Sequence, residues 1–203
     1  MPMQSLPERS FWRTLEIYSD HQIRRYEQSG VPLERIDSTS FMPGKTSTIY
    51  RRGIKEWKGS LILMMARGGW INTTYGNLEL LSDEEAKWFA RVQSLYLHFQ
   101  SEGRIKSFGG IPGDVQTYSF GAFDAEGSVY VVINPAQDIA KISMPLLSEV
   151  QKTLGEGRLL FRDAGFEPKL NGNTVELGPG RWPWSVSANM PRLHSISASR
   201  RMS

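Results

Sequence analysis

The sequence predicts an α/β segment followed by an all-β segment, and three observations carry that expectation. The unbroken apolar run Leu61–Ala66 has the length of a strand buried on both faces, as parallel strands are beneath covering helices. Ser82-Asp83-Glu84-Glu85 is a capping-box signature and opens an amphipathic stretch. Beyond Gly109-Gly110-Ile111-Pro112-Gly113 the chain turns to short β-prone runs separated by Gly, Asn and Pro. Residues 1–106 then form the α/β part, residues 107–180 the β part, and residues 181–203 a basic tail.

Phe11 to Gln28 reads as a helix with Leu15, Tyr18, Ile23 and Tyr26 as apolar positions, a break near Ser19-Asp20, and Gly30 as its stop. Val31–Met42 reads as a loop and a short strand before a Pro43-Gly44 turn. Thr46–Lys58 is expected to be a second helix, weakened by Gly53. The strand Leu61–Ala66 comes next, and then the capped helix. That helix carries Ala86, Phe89, Val92, Tyr96 and Phe99 at three- and four-residue steps and closes at Gly103. Downstream, Thr117–Phe123, Ser128–Asn134, Ile139–Leu147, Arg158–Asp163 and Thr174–Leu177 are expected strands of an antiparallel sheet or small sandwich. Two parallel-type strands are too few for a closed barrel or a stable open sheet, so the chain reads as the back end of a larger protein.

Composition narrows the chemistry. With 203 residues, 39% of them hydrophobic, a real core can be buried. There is no Cys, which excludes disulfides and Cys-ligated zinc and leaves the compartment open. His21, His98 and His194 lack metal-ligand spacing, and no cofactor motif, phosphate loop or nucleophile elbow is present. No apolar run approaches membrane-spanning length, and the opening MPMQSLPERSFW has no signal-peptide core. The basic pI, about 9.2, comes from the tail. Its four arginines outweigh the net charge of +3, leaving −1 on the first 180 residues. A body so nearly neutral, without a Lys/Arg stripe, argues against a nucleic-acid partner.

The apolar run is followed by Arg67, two glycines, Trp70, Asn72, Tyr75 and Asn77. Beyond the carboxyl end of a parallel strand, one cation, two aromatics and two amides match a sugar subsite. Flat rings cover the C–H face of a pyranose, and the amides and Arg bond its hydroxyls. The other reading is an ordinary Gly-rich turn with a core Trp. Trp57 and Trp88 fall on helical patterns and read as packing, while Asp114 and Asp124 read as turn residues.

The stretches IDSTSFMPGK, ARGGWINTTYGNLELLSDEE and GGIPGDVQTYSFGAFDAEGSVYVVINP, in this layout, resemble the C-terminal part of bacterial α-galactosidase-like glycoside hydrolases. There a (β/α)8 barrel is followed by an antiparallel β-sandwich. The resemblance covers roughly residues 10–180 and implies that the strands near Ile36 and over Leu61–Ala66 are the last two of the barrel. It implies a C-terminal fragment whose parent binds carbohydrate and hydrolyses O-glycosidic bonds, with no cofactor or metal. Such enzymes use two carboxylates, and Asp37 is the candidate here, with Lys45 nearby. Arg67, Trp70, Asn72, Tyr75 and Lys45 would contact substrate. Asp37 also suits an Asx-type turn, and a non-catalytic carbohydrate-binding or interaction module is the alternative function.

The tail is expected to be disordered or frameshifted. A closing strand is due after Gly180, yet Pro183 between two tryptophans suits neither a central strand nor a helix. With third bases chosen to suit, the shifted frame of Gly180–Pro191 spells Gln-Met-Ala-Leu-Val-Gly-Phe-Gly-Lys-Tyr-Ala, which has the apolar content of such a strand.

Overall fold

A computed structural model of the chain describes residues 8–41, 57–69, 71–102, 104–114, 116–124, 127–136, 138–144, 157–161, 167–178 and 184–188. Three α-helices are described: α1 (Glu8–Gln28), α2 (Trp57–Ala66) and α3 (Asp83–Glu102). The strands are β1 (Asp37–Phe41), β2 (Ile71–Tyr75), β3 (Arg104–Gly109), β4 (Tyr118–Phe123), β5 (Ser128–Ile133), β6 (Ala140–Ser143), β7 (Gly157–Phe161), β8 (Lys169–Asn171), β9 (Thr174–Leu177) and β10 (Trp184–Ala188). Short 3-10 turns occupy Leu33–Arg35 and Leu78–Leu80.

The first correction concerns the apolar run. Leu61–Ala66 is the body of α2, and the parallel strand follows it at Ile71–Tyr75. Every residue from Leu61 to Ala66 is at most 3% exposed. A helix surrounded on all sides needs no polar face, so it loses its 3.6-residue signature and reads like a buried strand. Residue type could have separated the two. Leu, Met and Ala favour helix, whereas Ile-Asn-Thr-Thr-Tyr is mostly β-branched or aromatic. The expected helix Thr46–Lys58 lies outside the described residues except for Trp57 and Lys58, which open α2.

β1 and β2 pair in parallel from Asp37 opposite Ile71 to Phe41 opposite Tyr75. The connection between them contains α2, which packs against β1. The antiparallel strands form a five-stranded sheet, β3-β4-β5-β10-β7, and a three-stranded one, β6-β9-β8. β5 is buried along its whole length. Val129, Val131 and Ile133 join the core with α2, α3, Tyr118, Phe120 and Ala122, while Tyr130 and Val132 meet Ile142, Met144, Val175 and Leu177 of the smaller sheet. Helices, large sheet and small sheet are therefore three layers with β5 at the centre.

The capping box is formed. Ser82 N–H donates to Glu85 Oε2 at 3.0 Å, and Glu85 N–H donates to Ser82 Oγ at 3.3 Å. The bond from the Ser82 N–H, and after it the Ser82 hydroxyl, which donates to Glu85 Oε2 at 3.2 Å, hold the Glu85 carboxyl below its ordinary range. A lowered folded-state pKa gives stability that is present above the unfolded carboxylate pKa and lost as pH falls through the folded one. Ser82→Ala should cost about 1 kcal/mol, and the difference in urea midpoint between wild type and variant should shrink on acidification. A constant difference at all pH values would assign the loss to the Glu85 N–H cap bond, with no share from the Glu85 carboxylate. The buried face of α3 runs through Leu95, Tyr96 and Phe99, with Trp88, Phe89 and Val92 half-buried. Ala86 is exposed, so the stripe lies one step from its expected start.

The boundary expected at residues 106/107 passes through β3, which pairs with β4 along its full length. β3, β8 and β10 are strands that the sequence reading did not assign. β10 lies between β5 and β7, where the in-frame residues Trp184–Ala188 supply the strand whose apparent lack suggested a shifted frame. Its alternation Trp-Ser-Val-Ser-Ala is a period-2 pattern that the neighbouring Pro183 obscured. The remainder of the tail lies outside the described residues.

Gly121 of β4 stands opposite Tyr130 of β5. A Cβ there would lie 2.7 Å from the Tyr130 ring and 2.9 Å from Phe108. Gly121→Ala should therefore cost about 1–3 kcal/mol by overpacking, read as a lower urea midpoint. An unchanged midpoint would show that the two rings yield freely.

Candidate functional site

In a parallel sheet the ligand-binding end is where the strands finish. At this end β1 reaches Phe41 and β2 reaches Tyr75, which are register partners. Gly76, Asn77 and the 3-10 turn Leu78–Leu80 follow β2. Asn77 Nδ2 donates to Glu79 Oε1 at 2.8 Å, placing an amide and a carboxylate together just beyond the strand end. Glu79 is exposed and Asn77 half-buried. The segment between β1 and α2, residues 42–56, contains Lys45, Arg51, Arg52 and Lys55 against the single acid Glu56.

The expected site residues distribute differently. Asp37 is the first residue of β1, not a residue beyond its end, because the 3-10 turn Leu33–Arg35 occupies the chain just before it. It is exposed at the start of the sheet, roughly 13 Å of strand from Phe41. In a barrel that face serves stability, not catalysis.

Arg67 follows α2 and precedes β2, so it likewise stands at the starting end of the parallel strands. Its side chain is 2% exposed, and Nε donates to Asp20 Oδ1 at 2.5 Å. Tyr118 Oη donates to the other oxygen, Asp20 Oδ2, at 2.6 Å. Asp20 is itself fully buried. The three groups tie α1, the end of α2 and β4 into one buried charged network. The expected helix break at Ser19-Asp20 does not occur, since α1 runs continuously and Asp20 finds its cation 47 residues away.

Asn72, the second residue of β2, is half-buried and faces its register partner Ser38 across the parallel pair. Ser38 Oγ and Asn72 Oδ1 are both buried and lack hydrogen-bond partners. Tyr75 is the last residue of β2, at the finishing end of the strand. Trp70 and Lys45 lie outside the described residues. The structure thus brings Tyr75, Asn77 and Glu79 to one edge and separates them from Asp37 and Arg67. Glu79 was missed because Leu78-Glu79-Leu80 reads as a short amphipathic step. Its signal was position beyond a Thr-rich strand.

The aromatic and turn assignments agree with the structure. Trp57 is 4% exposed and meets Trp88 edge-on at 5.5 Å. Asp124 accepts the Gly127 N–H at 2.8 Å and also contacts His98 Nε2 at 2.6 Å. Asp114 N–H closes a turn to Ile111 O at 3.1 Å. No group of three His, Cys, Asp or Glu side chains fit to hold a metal occurs among the described residues, and no helix there is long and apolar enough to cross a membrane.

No protein-family model matches the chain, and no curated protein does. Among solved structures, an α-amylase from H. orenii aligns at 17% identity and TM-score 0.32, over 55% of this chain and 22% of its own. An isomaltulose synthase variant from Erwinia rhapontici NX5, in complex with its natural substrate sucrose, aligns at 11% identity and TM-score 0.34. That alignment covers 61% of this chain and 22% of the synthase. The chain spans about a fifth of either solved chain, and the shared geometry is slight.

Proposed function

We propose that this chain is the C-terminal part of a glycoside hydrolase, α-galactosidase-like in type. In this reading it contributes two βα units of a parallel barrel and an accessory pair of antiparallel sheets. The observation that carries the reading is the parallel pair β1–β2 joined through α2 and followed by α3, after which the chain becomes antiparallel. A two-stranded parallel sheet is the form expected of part of a larger parallel assembly. The sugar-contacting edge is Tyr75–Glu79, with Glu79 as its carboxylate and the Asn77 amide orienting it.

Hydrolysis with a carboxylate pair needs a second acid within about 10 Å of the first. Asp37 stands at the opposite end of the sheet, and Glu56, the one acid between β1 and α2 in the sequence, lies outside the described residues. In this reading the second acid comes from barrel units other than these two. The purified chain is expected to release no nitrophenol from an aryl α-galactoside. Turnover by this chain that is lost in Asp37→Asn would overturn the assignment of the site to the other end of the strands.

A further inference from the structure

Among the described residues β3 is an edge strand of the five-stranded sheet, bonded to β4 on one side only. An exposed edge is a template for another strand. Here the outward groups meet side chains. Glu34 Oε1 accepts the Ile105 N–H at 2.9 Å, and the Glu27 carboxylate accepts the Ser107 N–H at 3.2 and 3.3 Å. Glu27 also accepts the Ser107 hydroxyl. Arg24 Nη2 donates to Gly109 O at 3.0 Å, and Arg24 Nη1 to Ser107 Oγ at 3.1 Å. His21 Nδ1 lies 2.7 Å from Pro112 O.

Read along the strand, Glu34, Glu27, Arg24 and His21 meet residues 105, 107, 109 and 112 in turn. The numbers fall on one side as they rise on the other, as in an antiparallel ladder. Ile105 and Ser107 are two apart, the spacing at which a strand turns its amides to the same edge. The α1 surface is thus a side-chain substitute for a neighbouring strand, with carboxylates opposite the donors and a guanidinium opposite the acceptor.

We infer that α1 and the turn after it guard β3 against pairing with the β3 of a second copy of this chain. An antiparallel β3–β3 contact is two-fold symmetric and closes on itself. Centred on Ser107, it places Ile105 opposite Gly109 of the second copy and Lys106 opposite Phe108. In this register neither Arg104 nor Lys106 stands directly opposite its own copy, although the two Lys106 side chains are diagonal neighbours on one face. The same outward groups that α1 now holds, the Ile105 and Ser107 amides and the Gly109 carbonyl, would form the new ladder.

The test is the mass in solution of Glu27→Ala/Glu34→Ala against wild type, by light scattering over a dilution series, with backbone amide exchange in parallel. The expected result is a concentration-dependent shift from the wild-type mass to twice that mass. At low concentration the Ile105 and Ser107 amides should exchange about tenfold faster than in wild type, and at high concentration their protection should return. Glu27→Gln/Glu34→Gln retains a carbonyl acceptor at each position and should keep the wild-type mass. Glu27→Ala alone, which removes fewer contacts, should shift in the same direction but less. A folded alanine double variant with wild-type mass throughout would overturn the inference. So would a glutamine variant that doubles equally, because charge repulsion and not amide capping would then keep copies apart.

Discussion

Arg67→Ala is expected to destabilise the fold by about 3–5 kcal/mol, the cost of breaking a buried ion pair by removing one partner. Arg67 and Asp20 are 2% and 0% exposed, and their 2.5 Å contact joins α2 to α1. Alanine strips the cation from a buried carboxylate that cannot turn to water. Asp20→Ala should cost a similar amount, and the two together clearly less than their sum, because the second change relieves the charge stranded by the first. Tyr118→Phe removes only a donor to that carboxylate and should cost about 1.5–3 kcal/mol. Urea unfolding of the four variants checks the set. An Arg67→Ala protein with wild-type stability and weakened sugar affinity would instead return Arg67 to the substrate site.

Gly68→Ala is expected to cost of order 3 kcal/mol, and Gly68→Val more. Gly68 has φ +94, a left-handed conformation that a Cβ opposes, and that Cβ would lie 2.3 Å from the backbone oxygen of Leu33. Neither term can be relieved by rotating a side chain, since the obstacle is main chain in the 3-10 turn before β1. This glycine fits the end of α2 beneath the start of β1, so it sets the spacing of the parallel pair. Thermal unfolding checks the cost. A loss below 1 kcal/mol would mean that the two connections separate without penalty and do not position the strands.

What the sequence made legible follows from the range of the forces involved. The capping box, the turn at Asp124 and the β-prone runs that form β4 and β5 are local, and each was read within a residue or two. Leu61–Ala66 was read as strand because complete burial erases helical periodicity, and that single exchange moved the expected sugar loop from the finishing end of a strand to its start. Asp37 moved for a related reason. The strand begins there, after a 3-10 turn whose apolar residues Leu33 and Ile36 resemble the strand itself. Asp20 was legible only as a helix interruption, because its partners Arg67 and Tyr118 are 47 and 98 residues distant. β3 escaped notice since part of its edge is met by side chains of α1 and of the turn after it, a relation that leaves no pattern within β3.

The claim that Tyr75–Glu79 is the sugar-contacting edge is tested most directly by titrating the isotopically labelled chain with methyl α-galactoside and mapping backbone amide shifts. The account predicts movement concentrated at Tyr75, Gly76, Asn77 and Glu79, abolished in Glu79→Gln, with Asp37 and Arg67 unmoved. Movement centred on Asp37 and Arg67, or no movement at the strand-end residues at saturating sugar, would contradict it.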